Sequence, residues 1–214
     1  MLFLALFNLQ MPVITFVEKP VVNEMPVITD IVAPVVVAEK FPSNIDMNKI
    51  RDTWLGWNNE TRKLLGLSEY SINSELNISA TVWSETSKLR GYMDHKREGQ
   101  TEYYDFYKIR DWFKDVVGIE FENDLFTENI AWGVYDCDSA DPDCTQYLID
   151  KIRYSYDFFI AEKGEDYSPH YDSIVNKYFK IIGLGIAIDE KAHKYYLTVH
   201  YAGALKTVVQ ATAD

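Results

Sequence analysis

The pattern of apolar positions changes character at about residue 44. Before it, apolar residues follow neither a helical nor an alternating period. "MLFLALFNLQMPVITFV" carries no charge until Glu18, and "MPVITFVEKPVVNE" from Met11 is echoed by "MPVITDIVAPVVVAE" from Met25. Pro12, Pro20, Pro26 and Pro34 each remove a backbone donor, and two copies are too few for a solenoid. Residues 1–17 are expected to be an export or anchoring segment, although they are short for a membrane span and lack the basic start of a signal peptide. Residues 18–43 are expected to form a semi-rigid Pro/Val-rich stalk, the rival reading being two edge strands packed on the domain that follows. Residues 44–203 have the size of one domain, and residues 204–214 read as a frayed tail.

Beyond residue 44 a helical period takes over. "DMNKIRDTWLGWNNETRKLLGL" (46–67) sets Ile50, Trp54, Trp57 and Leu64 or Leu65 on one face. "SELNISATVWSETSKLRGYM" (74–93) does the same with Leu76, Ala80, Trp83 and Ser87, and "EYYDFYKIRDWFKDVVG" (102–118) predicts a third helix closed by Gly118. "FTENIAWGV" (126–134) then alternates as a strand, with Ile130, Trp132 and Val134 on one face and Glu128 in step with them. A carboxylate on such a face needs a partner. "TQYLIDKIRYSYDFFIAEK" (145–163) returns to a helix, its buried arc running through Leu148, Ile152, Ser155 and Phe159. Glu162 continues that arc and Glu165 falls off it. A hairpin follows, "KIIGLGIAID" (180–189) and "KYYLTVHYA" (194–202). Gly183, Gly185 and Ala187 alternate with Ile182, Leu184, Ile186 and Ile188, leaving one strand face small enough for close approach of a helix. Helices before and after a few strands predict an α/β layered arrangement, an antiparallel sheet covered by helices.

Charge narrows the function. With 33 acidic and 21 basic residues the net charge is −12, and the longest basic run is "HKR" at 95–97. Nucleic acid is thereby excluded as a partner, because phosphate backbones demand clustered Lys and Arg. Aromatic residues make up 14% of the chain, enough for a core of large rings or an aromatic-lined cleft. Cys137 and Cys144 bracket "CDSADPDC", a spacing compatible with a local disulfide and so with an oxidising compartment, against the alternative of two unpaired thiols. Asp136, just before this loop, and Asp138, Asp141 and Asp143 within it read as a solvated acidic turn, since the glycine and distal glutamate of a helix-loop-helix calcium site are missing.

Among the four histidines, His193 falls in the hairpin loop and His200 within a strand, where a packed structural role is expected. His95 follows the second helix, and His170 lies in "YSPHYDSIV", where Pro169 predicts a turn. Two histidines and two core-facing carboxylates suit a divalent metal such as zinc. No HExxH, CxxC, GxSxG, Walker or dinucleotide motif accompanies them.

The order of "SATVWSETSKLRGYMDH", "TENIAWG", "FIAEK", "HYDSIV" and "IIGLGIAI…KYYLTVHYA" resembles the CAP superfamily, the cysteine-rich secretory, antigen 5 and pathogenesis-related 1 proteins with SCP-like domains. The resemblance spans about residues 45–202 and is nearest to the disulfide-poor bacterial members. It implies a three-layer α-β-α sandwich around a small, mainly antiparallel sheet. It also implies a cleft with two histidines and two glutamates, which on this chain match His95, Glu128, Glu162 and His170.

The expectation is a secreted or surface-tethered binding module in an extracellular or cell-surface location. Its cleft would take a lipid, peptide or glycan and a divalent metal such as zinc, with the N-terminus as tether. The alternative is a metal-assisted hydrolase with His95 and His170 as ligands and Glu128 or Glu162 activating a water. A third reading makes the four residues a structural network tying helices to sheet.

Overall fold

The helical period past residue 44 becomes α1 (Met47–Leu64) in a computed structural model that describes residues 42–138 and 140–206. The expected export segment, and the stalk up to residue 41, lie outside the described residues. Asp46 starts α1 by accepting from the amides of Asn48 and Lys49 at 3.0 and 3.1 Å. The buried stripe continues from Ile50 and Trp54 through Asn58 and Arg62, while Leu64 and Leu65 are 83% and 44% exposed. This departs from the apolar reading of the sequence because Arg62 finds its partners inside. Its guanidinium donates to the carbonyls of Ser68, Ile174 and Asn176 and lies 3.8 Å from the Tyr70 ring centre.

A two-residue strand, β1 (Ser71–Ile72), precedes α2 (Ser74–Arg90), which Asn73 caps and Gly91 ends with a φ of +73°. The third helix begins at Phe106, four residues later than its pattern suggests, because Asp105 caps it through the Lys108 amide. This helix, α3 (Phe106–Trp112), widens into a π-helical turn over Phe113–Val117 before Gly118. Next come β2 (Phe126–Val134), α4 (Thr145–Ala161), α5 (Pro169–Val175), β3 (Ile181–Asp189) and β4 (Lys194–Ala202). Pro169 does not make a plain turn. It opens α5, since its missing N–H goes unneeded in a first helical turn.

The four strands form one sheet in the order β1-β3-β4-β2, parallel only between β1 and β3. The alternation of β3 decides how the layers stack. A Cβ added at Gly183 would lie 2.2 Å from the Leu76 carbonyl carbon, and one at Gly185 would lie 2.0 Å from the Thr81 amide nitrogen, so α2 rests directly on the β3 backbone. On the opposite face Ile182, Leu184 and Ile186 share a core with Trp54, Leu148, Ile152 and Phe159 of α1 and α4. A smaller core of Leu76, Ile109, Phe113, Phe121 and Phe126 fills the α2 and α3 side. Helices therefore cover both faces of a mainly antiparallel sheet, and among the described residues β2 pairs only with β4 and is an edge strand.

Two loops are pinned. Cys137 and Cys144 form a disulfide with their Cα atoms 5.9 Å apart, and Asn44 donates to the Asp138 and Asp141 carbonyls from outside the loop. Ala204 to Lys206, expected as the start of a loose tail, instead pair with Glu120, Phe121 and Glu122. Residues 207–214 lie outside the described residues.

Candidate functional site

Glu128 stands directly opposite His200 in the β2–β4 register, so both side chains leave the sheet toward α2 and α3. Their separation from Glu128 Oε2 to His200 Nε2 is 2.8 Å. The segment after α2 brings two further donors, because His95 and Arg97 alternate inward along it. His95 Nδ1 lies 2.8 Å from Glu128 Oε1, while Arg97 donates to Oε1 at 2.8 Å and to Oε2 at 2.6 Å. The guanidinium is also held between two indoles, with its carbon 3.5 Å from the Trp83 ring centre and 4.5 Å from that of Trp112.

Glu128, Arg97, His95 and His200 are all buried. Burial pushes the Glu128 carboxyl up, but the charge and hydrogen bonds of Arg97, with those of His200 and His95, hold it well below the usual carboxylate range. Burial lowers His200, against the pull of Glu128. A neutral imidazole beside an ionised carboxylate must donate from Nε2, so Nδ1 accepts from the Ser79 hydroxyl at 2.8 Å. Strand, helix and loop are thus tied together through one carboxylate.

Glu162 caps the end of α4, where its arc continues past Phe159. Its carboxylate accepts from His170 Nδ1 and from the backbone amides of His170 and Tyr171, the latter two at 2.8 and 3.3 Å. The His170 ring stacks on Phe159 at 4.6 Å. Asn129, the neighbour of Glu128 on β2, donates to the His170 carbonyl at 3.0 Å. Successive strand residues face opposite ways, so the two His–Glu pairs flank β2 from its two faces. No contact among the described residues joins Glu128 to Glu162 or His170.

Aromatic rings rim both pairs. His95 meets Tyr103 and Tyr104 edge to face at 5.3 Å each, and Tyr103 and Tyr167 are largely exposed. Burial raises the Tyr103 hydroxyl pKa, and the charges of Asp94, Tyr167 and Glu128 raise it further. His193, by contrast, is exposed beside Asp136 at 3.0 Å.

Of the four residues singled out in the sequence, the structure pairs His95 with Glu128 and Glu162 with His170. It adds Arg97 and His200 as further partners of Glu128. Arg97 sat in "HKR", read only as a short basic run. His200 was read as structural, and only the strand register reveals that it faces Glu128.

No family model matches the chain, and no curated protein matches it. Solved structures do. An outer surface protein from Borrelia burgdorferi is 14% identical over 75% of this chain and 96% of its own, with a TM-score of 0.52. An extracellular protein containing an SCP domain from Bacillus anthracis is 17% identical over 72% of this chain and 40% of its own, with a TM-score of 0.47. The CAP domain of Enterococcal PrgA is 16% identical over 75% of this chain and 63% of its own, with a TM-score of 0.48. Likeness at this distance concerns the fold. The chain shares the α/β fold of the Borrelia burgdorferi outer surface protein, helices on both sides of a four-stranded mixed sheet. No helix among the described residues is long and apolar enough to cross a membrane.

Among the described residues no three of His95, Glu128, Glu162 and His170 bring ligating atoms within 4.8 Å of one another. Glu128 has two partners on each carboxylate oxygen, so it is a poor ligand. His95 and His170 both turn Nδ1 to a carboxylate, which leaves Nε2 of each for a metal and the glutamates as outer partners. Cys137, Asp141 and Cys144 do gather within 4.8 Å of one another, but the two sulfurs are joined as a disulfide.

Proposed function

We propose that the chain is a secreted or surface-displayed CAP-domain binding module that takes its ligand at the tyrosine-rimmed cleft between His95 and His170, with a divalent metal such as zinc as the group those imidazoles would hold. The observation that carries this reading is the matched orientation of the two histidines, each with Nδ1 fixed by a glutamate and Nε2 unengaged among the described residues. Exposed Tyr103, edge to face with His95, and exposed Tyr167, three residues before His170, offer flat, amphipathic surface for a peptide, glycan or lipid headgroup. An acidic surface and likeness to an outer surface protein support the location.

The hydrolase reading ranks below it. A general base needs a carboxylate oxygen within reach of a water, and Glu128 and Glu162 have partners on every oxygen. Titrating zinc into the metal-free full chain by calorimetry tests the binding reading. One site is expected, weakened about tenfold by His170→Ala as for loss of a ligand or its outer partner, with little change in the metal-free melting temperature. No binding, or equal affinity in the variant, would overturn it.

A further inference from the structure

A groove of about 530 Å³ follows the outer edge of β2, floored by Ile130 and walled by Met93 and Trp132 on one side and Lys151, Tyr154 and Phe158 on the other. None of His95, Glu128, Glu162 or His170 lines it. Trp132, Val134, Tyr154 and Phe158 are all more than half exposed.

Among the described residues the backbone at this edge is unpaired, and the register gives its phase. The Tyr135 amide donates to the His193 carbonyl, and the Gly203 amide donates to the Leu125 carbonyl. Between these two pairs the register runs unbroken from Phe126 opposite Ala202 to Val134 opposite Lys194. Odd-numbered residues of β2 therefore hydrogen-bond to β4. Ile130, Trp132 and Val134 turn their N–H and C=O groups outward into the groove. Among the described residues nothing bonds to those groups. Exposed edges are usually blunted by proline, lysine or a bulge; "FTENIAWGV" has no proline or lysine, and its pairing with β4 has no bulge.

The electrostatics point to the occupant. Lys151 is the only charged residue lining the groove of a chain with net charge −12, and no carboxylate pairs with it among the described residues. We propose that the outer edge of β2 is a strand-addition site for an extended peptide segment of another protein, with apolar side chains on alternate residues and a carboxylate that meets Lys151. An acyl chain would leave the outward amides unsatisfied. A second copy would bring two strongly acidic bodies together, each with net charge −12. The groove adjoins the Glu162–His170 pair through Phe158, whose ring centre lies 5.8 Å from that of His170, but strand addition uses neither histidine.

The test is selection of a random displayed peptide library on the full chain, with Trp132→Lys as the counter-target, followed by fluorescence polarisation of the enriched peptides. Trp132 is exposed, so the variant is expected to fold. Enriched sequences are expected to alternate apolar residues and to carry an aspartate or glutamate. Their affinity should fall about tenfold or more, equivalent to about 1.4 kcal/mol, with Trp132→Lys or with N-methylation of alternate peptide nitrogens, and about threefold with Lys151→Gln. Three results would each overturn the proposal. One is no enrichment beyond that on the variant. Another is binding indifferent to N-methylation, as in a side-chain or acyl groove. The third is a concentration-dependent dimer abolished by Trp132→Lys, which would assign the edge to a second copy.

Discussion

Replacing Glu128 by glutamine keeps the shape of the buried hub and removes its charge. Arg97 then loses the negative charge it approaches at 2.8 and 2.6 Å, and one of those two positions becomes an amide NH2 that cannot accept. The amide oxygen, the His95 carbonyl at 2.9 Å and the two indole faces remain. Hydrogen bonds to charged groups contribute about 1.5–3 kcal/mol each, and breaking a buried pair costs about 3–5 kcal/mol because one charge is left uncompensated. The indole contacts exist in both forms and offset none of this. Glu128→Gln is therefore expected to lose about 3–5 kcal/mol, which at about 2–4 °C per kcal/mol is a fall of roughly 6–20 °C in melting temperature. Urea unfolding followed by circular dichroism measures it. The physical cause is isolated by a double-mutant cycle with Arg97→Met, which removes the stranded charge as well. The double variant is expected to be more stable than the sum of the singles predicts, by about 2 kcal/mol. Additivity within about 0.5 kcal/mol would mean that the pair contributes no coupling and that the argument is wrong.

The same hub sets the response to acid. The His200 imidazole is lowered from its ordinary 6.5 by burial, so below that pH the unfolded chain gains a proton that the folded chain refuses, and stability falls. Glu128 is held well below 4.5, so its contribution is present above that pH and is lost as pH falls toward its folded value. Urea midpoints are expected to decline from about pH 6.5 and more steeply below about 4.5, with the upper phase absent in His200→Gln; a flat profile from about pH 7 to about pH 4 would contradict this. Packing gives an independent check. Gly185→Ala forces a methyl to 2.0 Å from the Thr81 nitrogen and is expected to cost about 1–3 kcal/mol or more. Gly56→Ala, on an α1 position with nothing within 4 Å, is expected to gain about 0.5–1 kcal/mol. Equal melting temperatures for the two variants would refute the close α2–β3 contact.

Local chemistry alone settled a good deal here. The small face of β3 announced a helix lying on the backbone, because only glycine and alanine leave room for one. The phase of α4 set Glu162 inward and Glu165 outward, since helical period depends on spacing alone. Glu128 stood out because a strand face that buries Ile130 must also bury it. What depended on the fold was the identity of its partners. His200 faces Glu128 through a register that spans 72 residues of sequence, and no local pattern encodes such a register. Arg97 belongs to the site only because Trp83 and Trp112, from two helices, enclose it. Arg62 lies in the core because distant carbonyls converge on it, where a hydropathy pattern favours Leu64 and Leu65. The division of the four candidate residues into two pairs across β2 likewise comes from the pleat of an edge strand. Local periodicity decides which way a side chain points, and long-range pairing decides what it meets there.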